Sequence, residues 1–310
     1  MTVSVVIETF NLGHGTRVLE PLAKLLAMLS PQVVAAEVVV THTGLPATAR
    51  AALEATLGHA IGWVELSRDA GYYTHKNRGF AATTGDVIAF LDGDCAPTPH
   101  WLDALIAPIG EEGARVVAGA TSYRGPLAPL ANQLDFPYFD GAGGRQRSIE
   151  DAPHSVRNFF ANNVAFARAT FAAHPYPTIT PMFHGQCQVL GLQLLAHGIA
   201  IRFAPQARVI HAWPEGVTEW VTTRLLRGAD TVALVPYVVA TYAPRATPAV
   251  ARLGPLPALA VLGARAVTGA WAALRRGPTV RGLGLVACVT IVDALGAAAA
   301  PSVYRRLGVA

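Results

Sequence analysis

Short runs of consecutive apolar residues recur along the first two thirds of the chain, each bounded by polar or turn-forming positions. They have the length of strands buried on both faces. Val3–Ile7, Val38–Val40, Trp63–Leu66, Val87–Leu91 and Val116–Ala120 are such runs, and Ala200–Phe203 and Ala207–Ile210 read as two more. Between them the period changes to that of a helix. Leu19, Leu22, Leu25, Leu26 and Leu29 share one face behind a capping Thr16, and Leu190, Leu194 and Leu195 mark a later helix that closes at Gly198. Strands alternating with helices predict right-handed crossovers and a parallel sheet with both faces covered. In such sheets ligands bind beyond the carboxyl ends of the strands, where Asn11, Thr41, His42 and Asp92 fall.

The last third has a different pattern. An amphipathic helix over Thr218–Arg227, carrying Trp220, Arg224 and Arg227, leads into two apolar segments of spanning length, Pro255–Leu274 and Gly282–Ala300. Each segment contains one charge, Arg265 and Asp293, and a midplane charge costs about 2.5–3.5 kcal/mol, which makes either segment marginal alone. The two charges lie at similar distances from the turn near Pro278 and are expected to pair. Arg275, Arg276 and Arg281 at that turn oppose full spanning from a cytosolic domain, so a shallow or re-entrant hairpin is expected. The expected organisation is an α/β domain over 1–230 and a helical, membrane-associated region over 231–310.

Composition narrows this picture. Only 14% of the 310 residues are charged and 52% are hydrophobic, so the chain is either deeply buried or partly in contact with lipid. The net charge of +4 suits phosphates or lipid headgroups, and no basic run with interleaved aromatics points to nucleic acid. Cys95, Cys187 and Cys288 form no CxxC pair, and Met1-Thr2 lacks the basic start of a signal peptide. A reduced setting on the cytoplasmic side of the cell membrane is expected, the chain being peripheral or inserted through its tail.

The candidate chemistry is densest in Gly71–Asp103. The buried run Val87–Leu91 stops at Asp92-Gly93-Asp94, after which Pro97 and Pro99 are placed to open a helix containing Trp101. Two carboxylates one residue apart at a strand end suit Mg²⁺ or Mn²⁺, which take few protein oxygens and share the rest of their shell with phosphates. The plainer alternative is that these acids cap the next helix. A dinucleotide reading fails: Gly13-His14-Gly15 is followed by Val18 where a third glycine belongs.

Together, Lys76-Asn77-Arg78-Gly79, Gly85-Asp86, the strand Val87–Leu91 and Leu91-Asp92-Gly93-Asp94 resemble the core of the inverting family-2 glycosyltransferases. Val3–Asn11 is similar to that family's first strand and the turn after it, and the resemblance runs to about Trp213. It implies a GT-A fold, a Rossmann-like mixed sheet flanked by helices, here followed by an apolar helical tail. It also implies a nucleoside-diphosphate sugar donor and a glycan or lipid-linked acceptor. Carried over by position, Thr9, Phe10, Asn11, Thr41 and His42 belong near the base, and Lys76, Asn77, Asp92 and Gly93 near the ribose and diphosphate. Asp92, Asp94 and His211 become the metal candidates, although a lone His after a strand is equally a hydrogen-bonded loop residue. Glu8, where the family has Pro, reads as a solvated loop residue.

One departure matters for chemistry. The family carries Gly-Glu-Asp at the start of its catalytic helix, the Asp being the general base, whereas this chain has Gly185-Gln186-Cys187. His184, Gln186 and Cys187 are therefore the candidates on the acceptor side, with Asp135, Asp140 and Asp151 in reserve. Without the acid pair, a sugar-nucleotide or glycan-binding subunit is the alternative to a transferase. A nucleotidylyltransferase fits less well, because no Gly-rich basic loop follows the first strand.

Overall fold

A computed structural model describes residues 1–124, 159–211, 216–275 and 280–307. They form two compact units, one from residues 1–122, 159–176 and 199–211, the other from 177–198 and 216–307. The division expected at residue 230 falls inside a helix, Val217–Tyr242.

The first unit is an eight-stranded sheet. Its strands are β1 (Val3–Glu8), β2 (Glu37–His42), β3 (Gly62–Glu65), β4 (Val87–Asp92), β5 (Cys95–Pro97), β6 (Val116–Tyr123), β7 (Asn163–Ala167) and β8 (Ile201–His211). Their order is β3-β2-β1-β4-β7-β6-β8-β5. The left half is parallel, as the alternating apolar runs predict, while β7 runs antiparallel to β4 and β6, and β5 antiparallel to β8. Packed with the sheet are α1 (Leu19–Leu29), α2 (Ala47–Leu57), α3 (Tyr72–Ala81), α4 (Trp101–Glu112) and α5 (Arg168–Ala173). The core joins Val5 and Ile7 of β1, Val38 and Val40 of β2 and Ala89 and Leu91 of β4 to Leu22, Leu25, Leu26 and Leu29 of α1.

Three local expectations change. Thr16 lies within a 3-10 turn, Gly15–Val18, and does not cap α1. The prolines after Asp94 do not open a helix directly, since Cys95–Pro97 first pairs with β8 and α4 starts only at Trp101. Ala200–Phe203 and Ala207–Ile210 are one strand, because Pro205 lies beyond the last β5 partner, Val209, where no ladder donor is needed on that side. Asn163 ties this half of the sheet together: it accepts from Trp101 Nε1 at 2.8 Å and donates to the carbonyls of Ala120 and Ala207 at 3.0 and 2.9 Å.

The second unit is helical: α6 (Gln186–Ala196), α7 (Val217–Tyr242), α8 (Thr247–Ala251), α9 (Leu256–Arg275), α10 (Val280–Ala298) and α11 (Ala300–Arg306). The helix expected to end near Arg227 continues to Tyr242. Glycines let α7 and α10 touch backbone to backbone: a Cβ at Gly228 would come within 2.0 Å of the Asp293 carbonyl oxygen, and one at Gly296 within 2.2 Å of that of Leu225. Beside this contact Arg224 Nε donates to Asp293 Oδ1 at 2.7 Å, and a second guanidinium nitrogen reaches Oδ2. Arg265 approaches the same carboxylate at 3.8 Å, so the expected Arg265–Asp293 pair exists, but Arg224 holds Asp293 more closely. Among the described residues no single helix is long and apolar enough to cross a membrane. Gly282–Ala298 and Ala300–Arg306 reach that length only as a pair bent by 87°.

Candidate active site

The parallel register sets three strand ends in a row. Glu8, the last residue of β1, lies beside Thr41 of β2 on one side and Asp92 of β4 on the other. Helix α3 crosses close above them, since a Cβ on Gly79 would come within 2.4 Å of Val6 and 3.1 Å of Thr41. That close approach brings Tyr72, His75 and Lys76, spaced three and four apart on one helical face, onto the strand ends.

Lys76 Nζ donates to Asp92 Oδ1 at 2.6 Å, the two side chains being 0% and 4% exposed. Tyr72 OH bridges both Asp92 oxygens at 3.0 and 2.9 Å, and the ammonium lies 4.8 Å from the centre of the Tyr72 ring. A buried ion pair is tolerable when further hydrogen bonds satisfy it, and here both Asp92 oxygens are occupied. Burial, with Asp92 beside it, pushes the Tyr72 hydroxyl well above its usual range, so it stays a donor.

Glu8 is not a solvated loop residue: it is completely buried. Its Oε2 accepts the Phe10 N–H at 2.7 Å, and its Oε1 has no hydrogen-bond partner among the described residues. Burial first, then the neighbouring Asp92, raise its carboxyl well above the ordinary range, which favours the protonated form.

Gly93 explains how the next carboxylate reaches the site. A Cβ there would come within 2.8 Å of Leu12 and 2.9 Å of the Glu8 carbonyl, to which the Gly93 N–H donates at 2.8 Å. The chain hugs the end of β1 and then joins β8, with Cys95 opposite His211. Asp94 Oδ2 meets His211 Nε2 at 3.0 Å, while the buried Asp94 Oδ1 has no hydrogen-bond partner among the described residues. Burial alone would raise the Asp94 carboxyl, but the charge and hydrogen bond of His211 outweigh it and hold the group below its ordinary value.

Potential ligand atoms of Asp94, Cys95 and His211 lie within 4.8 Å of one another. Burial and then Asp94 push the Cys95 thiol well up, so it stays protonated and is a poor donor to a hard cation. The spare Asp94 oxygen beside an imidazole fits a single Mg²⁺ or Mn²⁺ with most of its shell left for other oxygens. Of the expected ligand set, Asp94 and His211 come together, whereas Asp92 is engaged by Lys76 and Tyr72.

The residues expected at the base divide into a rim and its support. Phe10 and the exposed Asn11 form a 3-10 turn, Phe10–Leu12, with the Phe10 ring edge-on to Tyr72 and His75 at 6.2 and 5.9 Å. Beneath them Thr9 Oγ1 donates to the Thr41 carbonyl at 3.0 Å, and Thr41 Oγ1 meets His75 Nδ1 at 3.1 Å. Burial, and then the Lys76 charge, push His75 down to about 4, so this ring is neutral. His42 is a core histidine, accepting the Leu45 N–H at 3.2 Å and lying edge-on to Trp63. Asn77 is committed to the fold, its amide exchanging two hydrogen bonds with the Tyr176 backbone at 2.9 and 3.2 Å.

In the helical unit His184, Gln186 and Cys187 share the turn that opens α6. Gln186 Nε2 donates to the Met182 carbonyl at 2.9 Å, and Cys187 Sγ lies 3.7 Å from the His184 carbonyl. The turn hangs on Asp230 of α7, which accepts the N–H groups of Phe183 and His184 at 2.8 and 2.5 Å and the Tyr304 hydroxyl at 2.8 Å. Burial raises the Asp230 carboxyl despite these donors. The sequence did hold a signal for it: an acid four residues from both Leu226 and Leu234, on the buried face of α7. Asp135, Asp140 and Asp151 lie outside the described residues.

The model of the family described as Glycosyl transferase family 2 matches residues 4–167, more than half of the chain. The chain belongs to this family. Pre-mycofactocin glycosyltransferase from Mycobacterium tuberculosis is 25% identical over 166 residues, 51% of this chain and 34% of that protein. Glycosyltransferase AglE from Haloferax volcanii is 36% identical over 56 residues, 18% of each chain. Aligned residues thus span about a third or less of these relatives' own length. Among solved structures, the mannosyltransferase PcManGT from Pyrobaculum calidifontis, in complex with GDP-Man and Mn²⁺, superposes with a TM-score of 0.59 at 14% identity, over 96% of this chain and 86% of that one. Glucosyl-3-phosphoglycerate synthase from Mycobacterium tuberculosis, in complex with Mn²⁺, UDP and phosphoglyceric acid, gives 0.53 at 18% identity, over 77% and 78%. At these identities the likeness is one of fold, and it places the mixed sheet of this family-2 chain among GT-A glycosyltransferases.

Proposed function

We propose that this family-2 chain transfers a sugar, with inversion, from a nucleoside diphosphate to an acceptor hydroxyl on a glycan or lipid-linked molecule, at the cytoplasmic side of a membrane. The observation that carries the reading is the pair of buried oxygens, Glu8 Oε1 and Asp94 Oδ1, that have no hydrogen-bond partner among the described residues, at the strand ends of a family-2 sheet. Asp94 and His211 would hold Mg²⁺ or Mn²⁺, whose chemistry there is to neutralise the charge that develops on the leaving diphosphate. Asp92, fixed by Lys76 and Tyr72, presents an oriented acceptor edge to the donor. The raised carboxyl of Glu8 disfavours a third negative charge beside that diphosphate. Phe10 and Asn11 form the rim against which a base can lie.

In the transfer, the acceptor oxygen forms its bond to the anomeric carbon from the face opposite the diphosphate. The carbon–oxygen bond to the diphosphate breaks with its electron pair leaving on that oxygen, and the acceptor proton passes to a base. We assign that base to the turn of His184 and Cys187, His184 having the better-matched ordinary pKa. A second reading, a binding subunit, is favoured by Gln186 standing where the family has an acid and being tied to the Met182 carbonyl.

A thermal-shift and calorimetry series with UDP and GDP, with and without Mn²⁺, tests the donor site. Metal-dependent binding of one of them is expected, and binding of neither would sink both readings. Donor consumption then separates them. His184→Ala should lower turnover about 100-fold or more, at least as much as Cys187→Ala, and Cys187→Asp should preserve or raise it. A donor that binds but is consumed by neither wild type nor Cys187→Asp selects the binding subunit.

A further inference from the structure

Two helices of the second unit carry large apolar side chains that are exposed. On α9 Leu256, Val267, Trp271 and Leu274 recur at helical spacing and are exposed, Val267 by 70% and Trp271 by 58%. On α10 Ile291 and Leu295, one turn apart, are 60% and 58% exposed. The opposite side of α9 is already used, with Ala258 and Leu262 packed against Val235 and Ala297. A helix apolar all round is one whose outer side meets another apolar phase.

The charge of the same segment says which phase. Residues 231–310 hold eight arginines, no lysine and a single acid, Asp293, which is buried against Arg224. The chain carries only +4 in all, so this excess is concentrated in the tail while residues 1–230 are slightly acidic. Arg245, Arg252, Arg305 and Arg306 are exposed. The arginines also bracket the stripe, with Arg252 just before α9 and Arg275 its last residue. A spanning helix would divide these ends between two surfaces, whereas a helix lying in the interface keeps both among headgroups.

We propose that α9 and α10 dock this protein, in plane, onto a membrane surface bearing anionic headgroups. Trp271, Val267 and Ile291 enter the acyl boundary, and Arg245 and Arg252 contact the phosphates. The docking goes beyond the transfer reaction and stands without it.

Flotation of the full chain with vesicles tests the proposal, using phosphatidylcholine alone and phosphatidylcholine with about a third phosphatidylglycerol. The chain should float with the anionic vesicles and much less with the neutral ones, and salt near 1 M should release it. Arg245→Glu with Arg252→Glu should weaken binding at least about fivefold per site, and Val267→Glu with Trp271→Glu should abolish it. A melting temperature equal to wild type checks that each variant is folded, and nucleotide binding should be unchanged in both. Equal flotation with neutral vesicles overturns the headgroup assignment. Flotation of the Val267/Trp271 variant like wild type overturns the docking face. A wild-type chain that never floats but dissociates from an oligomer on Trp271→Glu substitution makes the stripe a subunit interface and overturns the proposal. If anionic vesicles are ignored while DNA or RNA is bound, the arginines serve nucleic acid and the proposal fails as well.

Discussion

Both units bury charge, and they treat it in opposite ways. In the helical unit the two buried carboxylates among the described residues have both oxygens taken: Asp293 by Arg224, with Arg265 nearby, and Asp230 by two backbone N–H groups and the Tyr304 hydroxyl. At the sheet's carboxyl edge Asp92 is equally satisfied, by Lys76 and Tyr72, yet its neighbours Glu8 and Asp94 each keep one buried oxygen without a hydrogen bond among the described residues. An unsatisfied buried polar atom costs about 1–3 kcal/mol. A fold retains such a cost where something else completes the shell. The saturated Asp293 and Asp230 serve the architecture, the unsaturated oxygen of Asp94 is open to a ligand, and the contrast can be broken by changing one member of each class.

The largest effect is expected at Asp94. Asp94→Ala should abolish the Mn²⁺-dependent part of nucleotide binding while leaving the ligand-free melting temperature within a few degrees of wild type. Calorimetry showing the same metal-dependent affinity in the variant would remove Asp94 from the metal site. Collapse of the fold would instead place this carboxylate in the saturated class.

Arg224→Met should do the reverse. It leaves the buried Asp293 with only the more distant Arg265, and removing one partner of a buried pair costs about 3–5 kcal/mol. Urea unfolding should show that loss, with nucleotide affinity in the folded protein intact. Changing both partners, Arg224→Met with Asp293→Leu, should recover most of it. If the single variant is as stable as wild type, the pair is not what holds α7 to α10.

The difference between the classes also explains what the sequence revealed. The parallel half of the sheet was legible because strands buried on both faces are continuous apolar runs. The Asp92-Gly93-Asp94 turn was legible because a run ended in acids. β5 was hidden, three residues long and carrying a proline that reads as a helix start. Glu8, Arg224 and Asp230 were misread or passed over for one reason. A charged residue is assigned to solvent until its surroundings are known, and the strand neighbour Asp92 of Glu8 and the partners Asp293 of Arg224 and Tyr304 of Asp230 lie 84, 69 and 74 positions away. Asp230 alone left a trace, since it interrupts an apolar stripe. The acceptor-side turn was legible as a departure from a family pattern, but its suspension from Asp230 was not.

The smallest effect is expected at Glu8, and it tests the unsaturated class most finely. Glu8→Gln copies the shape and neutrality of a protonated Glu8, and its carbonyl oxygen can still accept the Phe10 N–H. Because burial raises the folded-state pKa of Glu8 above the ordinary 4.5, the folded chain holds this proton more tightly than the unfolded one. The stability it contributes is therefore complete below pH 4.5 and is lost as pH rises from there through the raised value. The Gln variant has no such dependence, so it should gain on wild type as pH rises. The gain should stay below about 1 kcal/mol at pH 5 and grow no faster than about 1.4 kcal/mol per pH unit. Urea unfolding at pH 4, 5 and 7 reads this directly. The opposite trend, wild type gaining on Gln with rising pH, would mean that Glu8 is ionised in the folded chain. Three negative charges would then face the diphosphate, and Glu8 would belong with Asp94 among the metal ligands rather than beside them as a neutral wall.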